Sequence, residues 1–94
     1  MNHTEHLLTI IAEECSEVSQ RVSKALRFGL HEVHEGQSFT NAERIGLEFE
    51  DLLGAYAMLQ SAGVLPTPRK EKMLLKMDKI DRLLYHSKEM GTLT

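Results

Sequence analysis

Residues 10–18 read IIAEECSEV and set three acidic side chains among apolar residues. A related stretch, IGLEFEDL, occupies residues 45–52. A shift of 34 residues aligns five apolar or acidic positions: Ile11 with Ile45, Glu14 with Glu48, Cys15 with Phe49, Glu17 with Asp51, and Val18 with Leu52. The chain therefore repeats an acid pair in the same sequence setting.

Both acid pairs take the same angular position when the two stretches are drawn as helices at about 100° per residue. Glu14 and Glu17 lie roughly 60° and 120° to one side of Ile11, and the second pair lies at the same angles from its own isoleucine. Packing the helices as an antiparallel hairpin would bring the four carboxylates together. Carboxylates at close quarters repel one another without a cation. Mg²⁺ or Mn²⁺ would offset that repulsion, whereas zinc usually recruits His or Cys.

Length and composition predict one domain over residues 1–94. The chain is 41% apolar and 27% charged, as is usual for a globular protein. A domain of this size buries only about 60–65% of its unfolded surface, so we expect at least a dimer. The single cysteine, Cys15, is expected in the core and indicates a reducing, cytoplasmic location. Neither a signal peptide nor a membrane span is expected.

Charge is distributed unevenly along the chain. Residues 1–63 carry ten acids and four bases, a net charge of −6, whereas residues 64–94 carry four acids and seven bases, a net charge of +3. The acidic part argues against duplex nucleic acid as a partner, because proteins that bind duplex nucleic acid usually present a basic face to it. The basic end would instead face the acidic hairpin or an anionic ligand.

The first helix is predicted to run from an N-cap at Thr4 to about Phe28, with Gly29 as its stop. Its predicted apolar stripe is Leu7, Ile11, Cys15, Val18, Val22 and Ala25. Residues 30–39 form a polar connection, which is expected to border a pocket or a subunit contact. His31 and His34 lie in this connection without a third ligand, so a metal role for them is not favoured.

Thr40 and Glu43 form a capping box that starts the second helix, and Gly63 is its predicted stop. Its stripe is Ile45, Phe49, Leu52, Tyr56 and Leu59. The third helix is predicted from about Pro68 to Lys88. Its apolar face is Met73, Leu74, Met77, Ile80, Leu83 and Leu84, and the two methionines are expected in the core. Its outer face is basic and is expected to be solvated. The predicted fold is all-α: a helical hairpin plus a third helix, assembling into an oligomeric bundle.

Cations follow the first acid pair along the same helix edge. Arg21, and more loosely Lys24, lie one or two turns beyond Glu17, where they would contact phosphates held by a metal. An equally weighted alternative is that Glu17 and Arg21 form an i,i+4 ion pair on a solvated helix face.

The acidic motifs resemble those of a known family. Glu13-Glu14-x-x-Glu17 and Glu48-x-x-Asp51 resemble the E-E-x-x-E and E-x-x-D motifs of all-α nucleoside triphosphate pyrophosphohydrolases. These enzymes form the MazG-like superfamily, which includes phosphoribosyl-ATP pyrophosphohydrolase and dimeric dUTPase. The resemblance covers roughly residues 5–62. It departs at residue 58, where methionine replaces a frequent asparagine, and the third helix carries no matching motif.

The resemblance implies a small helical protomer that forms dimers or tetramers and hydrolyses a nucleoside triphosphate to the monophosphate and pyrophosphate. It also implies Mg²⁺, with Mn²⁺ as a substitute. The residues that match the family's metal ligands are Glu14, Glu17, Glu48 and Asp51. Glu13 matches the first motif acid, but it points about 160° away from the apolar stripe and is expected behind the ligands or at the surface.

The chemistry of the reaction fits these residue types. A bound metal neutralises phosphate charge and lowers the pKa of a coordinated water, and a free carboxylate would orient or deprotonate that water. Glu14 or Glu17 is the candidate for this catalytic role. Arg21, Lys24 or Arg27 would stabilise phosphate charge, with Arg27 acting across a subunit boundary if at all.

Two alternatives stay open, and a third is disfavoured. One open alternative is activity on phosphoribosyl-ATP. The other is a non-enzymatic helical dimerisation or regulatory module whose acids are solvated. The disfavoured alternative is a di-iron carboxylate protein, because these usually need Glu-x-x-His pairs, and both motifs end in an acid here.

Overall fold

The computed structural model describes residues 1–94 as three helices without strands. They are α1 (His3–Phe28), α2 (Asn41–Ser61) and α3 (Lys70–Glu89). The all-α prediction is confirmed. Helices α1 and α2 pack against each other, whereas α3 packs against neither.

The first helix begins two residues earlier than the sequence predicts. The side chain of Asn2 accepts a hydrogen bond from the Glu5 backbone N–H at 2.8 Å and donates one to the Glu5 carboxylate at 2.9 Å. This reciprocal cap outcompetes Thr4, so the prediction of Thr4 as N-cap was wrong. Gly29 ends the helix as predicted, with a φ of 98° that favours glycine.

The capping box at the start of α2 is confirmed. The Glu43 backbone N–H donates to the Thr40 hydroxyl at 3.1 Å, and the Thr40 N–H donates to the Glu43 carboxylate at 3.0 Å. These hydrogen bonds hold the pKa of the Glu43 carboxyl below its usual value. Gly63 follows the end of the helix with a φ of 75°, in agreement with its predicted role as the stop.

The polar connection between α1 and α2 is non-helical, as predicted, and backbone hydrogen bonds tie it down. Asn41 N–H donates to the Glu32 carbonyl and Ala42 N–H to the Leu30 carbonyl, both at 3.0 Å. The Asn41 side chain donates to the Gly29 carbonyl at 2.9 Å, which joins the end of α1 to the start of α2. Asn41 is only 4% exposed. The turn that aligns the two helices therefore depends on a buried polar residue.

The interface between α1 and α2 follows a spacing of alternately three and four residues, typical of two helices packed nearly antiparallel. In α1 the buried or half-buried residues at this spacing are Leu7, Ile11, Glu14, Val18, Arg21 and Ala25. In α2 they are Asn41, Ile45, Glu48, Leu52, Ala55 and Leu59. We call these residues the seam. Three charged side chains therefore occupy positions that a simple hairpin fills with apolar residues.

The seam is rotated toward the acids relative to the predicted stripes. Cys15 is exposed, so its predicted core position is wrong. Val22 and Phe49 are 41% and 48% exposed, although both were assigned to apolar stripes. The reason is geometric: with Glu14 and Glu48 at the interface, residues one step further around each helix face outward. The hairpin consequently presents a second apolar face, formed by Cys15, Val22 and Phe49, that no other helix covers.

Helix α3 stands apart from the hairpin. The linker before it is fastened to α2, because the Tyr56 hydroxyl donates to the Pro66 carbonyl at 2.7 Å and the Gln60 amide donates to the Thr67 hydroxyl at 3.2 Å. Beyond this point no residue of α3 is buried, and the predicted core positions of Met73 and Met77 are wrong in the single chain. The radius of gyration is 16.8 Å, against about 13 Å for a compact chain of 100 residues. None of the three helices has the length and apolar character needed to span a membrane.

Candidate functional site

Three of the four predicted metal-ligand carboxylates meet in the middle of the hairpin. One carboxylate oxygen from each of Glu14, Glu17 and Glu48 lies within 4.8 Å of the others. We call these three residues the acid cluster. Glu14 and Glu48 are half-buried because they belong to the seam, and Glu17 is exposed at its edge. Asp51 is exposed one turn further along α2 and contributes no oxygen to this group.

The environment of the acid cluster disfavours its negative charges. Burial is the largest cause that raises the pKa of the Glu48 carboxyl, and contact with Glu17 raises it further. Burial also leads among the causes that raise the pKa of Glu14, followed by the charges of Glu17 and Asp51. Asp51 therefore acts on the cluster electrostatically, although its oxygens lie outside it. A cation bound between these carboxylates would stabilise their charged forms and so lower their pKa values.

Arg21 is the only cation paired with the cluster. Its Nε lies 3.9 Å from Oε1 of Glu48, across the seam, which is an electrostatic contact but too long for a hydrogen bond. This is the only ion pair in the structure, so the alternative of a Glu17–Arg21 pair along α1 is wrong. Burial explains why Arg21 pairs with Glu48 and not with Glu17. Arg21 lies in the seam with 23% of its side chain exposed, whereas Glu17 lies at the surface.

Polar atoms without partners are concentrated at this site. Oε2 of Glu14, Oε2 of Glu48 and Nη1 of Arg21 are buried and make no hydrogen bond. Buried polar atoms in proteins are usually satisfied, so unpaired ones call for a specific explanation. All three of these atoms lie on charged side chains of the seam. Two of them are oxygens that can bind a cation, and the third is a donor that can bind an anion.

The acid cluster offers only carboxylate oxygens, the ligand type that hard divalent cations prefer. Mg²⁺ binds oxygens at 2.0–2.1 Å in an octahedron, in which neighbouring ligand oxygens lie about 2.9 Å apart and opposite ones about 4.2 Å apart. The oxygens of the acid cluster lie within 4.8 Å of one another, so the three side chains would move closer together around a bound ion. The ligands are carboxylates only, which excludes the nitrogen and sulfur sets typical of zinc. His31 and His34 belong to no group of three potential metal ligands.

The remaining predicted residues fall outside the cluster. Glu13 is exposed, in agreement with its expected place at the surface or behind the ligands. Its negative charge contributes to raising the pKa of Glu14. Arg27 lies over the Phe28 ring with its guanidinium 4.8 Å from the ring centre. Lys24 lies one turn beyond Arg21 and lines a separate cavity, described next.

A polar cavity of about 200 Å³ lies at the end of the hairpin nearest the connection. Its walls come from α1, the connection and α2, and include Lys24, Phe28, Glu32, His34, Asn41 and Arg44. Residues 30–39 were expected to border a pocket or a subunit contact, and Glu32, His34 and Gln37 place them at a pocket. Sequence reasoning missed Arg44, and the available signal was its position four residues before Glu48, on the same side of α2.

Comparison with known proteins adds no assignment. No protein-family model matches this chain, and neither a curated protein nor a solved structure does. What can be said of the site accordingly comes from its own geometry and chemistry.

Proposed function

We propose that this protein hydrolyses a nucleoside triphosphate to the monophosphate and pyrophosphate, with Mg²⁺ or Mn²⁺ as the required cation. The observation that carries the proposal is the acid cluster: three carboxylates from two helices within 4.8 Å, two of them with buried, unpaired oxygens. Such a cluster costs stability unless a cation offsets it. The resemblance of its residues to the MazG-like motifs supplies the reaction.

The ligands in this proposal are Glu14, Glu17 and Glu48, joined by Asp51 from the next turn of α2. A bound Mg²⁺ supplies charge neutralisation on phosphate oxygens and an activated water. Glu14 and Glu17 are the candidates for holding that water and accepting its proton. Glu14 fits better, because its Oε2 is the one carboxylate oxygen of α1 that is buried in the cluster and has no partner.

Phosphate charge needs cations at the same place. Arg21 is suited to this role, since it reaches the cluster and keeps a buried, unpaired Nη1. An arginine in this position presents several donors to phosphate oxygens. Lys24 adds a second positive charge one turn away. Arg27 is directed onto Phe28 and would act only after rearrangement or across a subunit boundary.

The test is a pyrophosphate-release assay with Mg²⁺ across ribo- and deoxyribonucleoside triphosphates, including modified bases, with phosphoribosyl-ATP as a separate substrate. Glu17→Gln and Asp51→Asn should abolish release without loss of helical content. Glu50→Gln is the matched control, because Glu50 is an exposed acid on α2 outside the cluster. Full activity in both Glu17→Gln and Asp51→Asn would refute the metal-site proposal, and activity on phosphoribosyl-ATP alone would favour that narrower assignment.

We further propose that the protein assembles into a homodimer or homotetramer in the cytoplasm. Most of the stability of a helix in a protein comes from packing of its apolar face, and α3 packs against neither other helix of the chain, so a second copy would supply its covering surface. The hairpin offers one in its uncovered apolar face, and the charges of the two segments, −6 and +3, are complementary. The single cysteine fits a reducing compartment.

The second candidate function is a non-enzymatic dimerisation or regulatory module. The uncovered apolar face of α3 favours it, since unpartnered amphipathic helices commonly bind other helices. The two candidates differ in their dependence on the acid cluster. A module should keep its partner binding and its function in Glu48→Gln, whereas the enzyme should lose turnover.

A further inference from the structure

We propose that the cavity at the connection end of the hairpin binds the phosphate groups of the substrate that extend beyond the acid cluster. Lys24 and Arg44 would be its principal binding residues. This inference rests on the proposed function, because it assumes a polyphosphate at the cluster. It goes further by fixing the substrate's direction: phosphates toward the connection, nucleoside toward the opposite end of the hairpin.

The charge of the cavity favours an anion. Lys24 and Arg44 both line it, and neither forms an ion pair anywhere in the structure. The single acid in the wall, Glu32, accepts a hydrogen bond from the Asn41 side chain at 3.2 Å, and with the two cations it leaves the lining with a net charge of +1. Two unpaired cations in one concave site create a local positive potential that attracts phosphate.

The size and lining of the cavity favour phosphate over a nucleoside. Its volume of about 200 Å³ is below the roughly 300 Å³ at which small-molecule pockets begin. Phe28 is the only hydrophobic residue in its wall, whereas a base would be expected to need a more apolar enclosure. One or two phosphate groups match both properties.

The backbone N–H groups at the start of α2 are already hydrogen-bonded and are not free to bind the anion. Helix N-termini often bind phosphate through free N–H groups. Here Asn41 and Ala42 donate theirs to the connection, and Glu43 donates to Thr40. Binding must therefore come from side chains. The same hydrogen bonds hold the cavity wall in place, which lowers the cost of ordering it around a ligand.

The position of the cavity relative to the acid cluster sets the direction of the substrate. Arg44 precedes Glu48 by four residues and Lys24 follows Arg21 by three. At a rise of 1.5 Å per residue, Lys24 lies about 4.5 Å along the helix axis from Arg21, and Arg44 lies about 6 Å from Glu48. Because α1 and α2 are antiparallel, both steps lead toward the connection. A chain of phosphates starting at the cluster would reach the cavity without a break in cationic contacts.

The experiment uses inorganic pyrophosphate as the probe, with binding measured by titration calorimetry in metal-free buffer. Lys24→Gln and Arg44→Gln should each weaken pyrophosphate binding about tenfold, as expected for loss of a charge-assisted hydrogen bond. Lys76→Gln, which removes an exposed charge on α3, is the control and should bind as the parent does. Equal binding by the parent, both cavity variants and the control would overturn the inference, as would no binding by the parent.

A second measurement separates this inference from the proposed function. Mn²⁺ binding, followed by electron paramagnetic resonance, should be unchanged in Arg44→Gln, while the KM for the nucleotide rises about tenfold. If no nucleotide is hydrolysed but pyrophosphate binding still depends on Arg44, the proposed function fails and the anion site stands. If hydrolysis occurs with an unchanged KM in Arg44→Gln, the anion site fails and the function stands.

Discussion

Replacing Glu48 with glutamine should make the metal-free protein more stable and remove its stabilisation by Mg²⁺. Glutamine keeps the shape of the side chain but removes one of three negative charges within 4.8 Å. The pKa of Glu48 is raised, which means that burial and the neighbouring carboxylates outweigh the attraction of Arg21. The metal-free melting temperature of Glu48→Gln should therefore exceed that of the parent protein at pH 7.

The response to Mg²⁺ should change in the opposite direction. At a free Mg²⁺ concentration ten times the dissociation constant, binding stabilises the native parent protein by about 1.4 kcal/mol. For a chain of 94 residues this corresponds to a rise in Tm of about 6–11 °C. Glu48→Gln loses a ligand from the centre of the cluster, so its Tm should rise by much less at the same Mg²⁺ concentration.

Thermal unfolding followed by circular dichroism, with and without Mg²⁺, measures both effects. Glu50→Gln is the control, because it makes the same change on the same helix at an exposed position. It should leave the Mg²⁺ response intact. The reasoning is refuted if Glu48→Gln melts below the parent without metal while keeping the full Mg²⁺-induced rise.

Three further predictions concern the turn between α1 and α2, the pH dependence of stability and helix α3. Asn41→Ala should lower the free energy of unfolding by about 1–3 kcal/mol in urea titrations, because it leaves the Gly29 carbonyl without its buried partner. An unchanged free energy of unfolding would contradict the role given to this hydrogen bond in joining α1 to α2. Stability of the metal-free protein should increase as pH falls through the raised pKa values of Glu14 and Glu48 toward 4.5, because protonation removes unfavourable charge; Glu48→Gln should flatten this dependence. Leu83→Glu should raise the dissociation constant of the oligomer at least about tenfold in sedimentation experiments, with Lys76→Gln as control; an unchanged constant would exclude α3 from the interface.

Local signals predicted the secondary structure well. The capping box at Thr40 and Glu43 and the glycines at 29 and 63 act through hydrogen bonds and backbone angles within a few residues, so the sequence determines them directly. The start of α1 was missed for a local reason as well. Asn2 and Thr4 are both good caps, and only the structure reveals that Asn2 also exchanges a hydrogen bond with Glu5.

The interface was harder to predict because it does not follow hydrophobicity alone. A stripe through Cys15 and Val22 is the natural apolar choice, yet the seam passes through Glu14 and Arg21 instead. The predicted stripe and the observed seam both carry enough apolar residues to form a helix interface. Which of them is buried depends on how the partner helix packs. A sequence pattern describes one helix at a time, so it does not contain that choice.

The acid cluster was predicted more closely than the seam that holds it. The repeat of Glu14 and Glu17 at Glu48 and Asp51 placed the acids on one edge of each helix, and three of the four meet across the hairpin. Asp51 lies a turn away, a displacement that depends on how far the two helices slide along each other. Arg44 could not be identified from the sequence as a site residue. Its place in the cavity depends on the connection, which supplies part of the cavity wall.

The most direct test of the proposed activity is to identify the products formed from a nucleoside triphosphate. The protein, Mg²⁺ and each nucleotide would be incubated and the phosphorus-containing products resolved by ³¹P nuclear magnetic resonance. We predict equal amounts of monophosphate and pyrophosphate, with formation abolished in Asp51→Asn and retained in Glu50→Gln. Diphosphate with orthophosphate, or no turnover of any nucleotide tested, would contradict the proposal that this acid cluster is a pyrophosphohydrolase site.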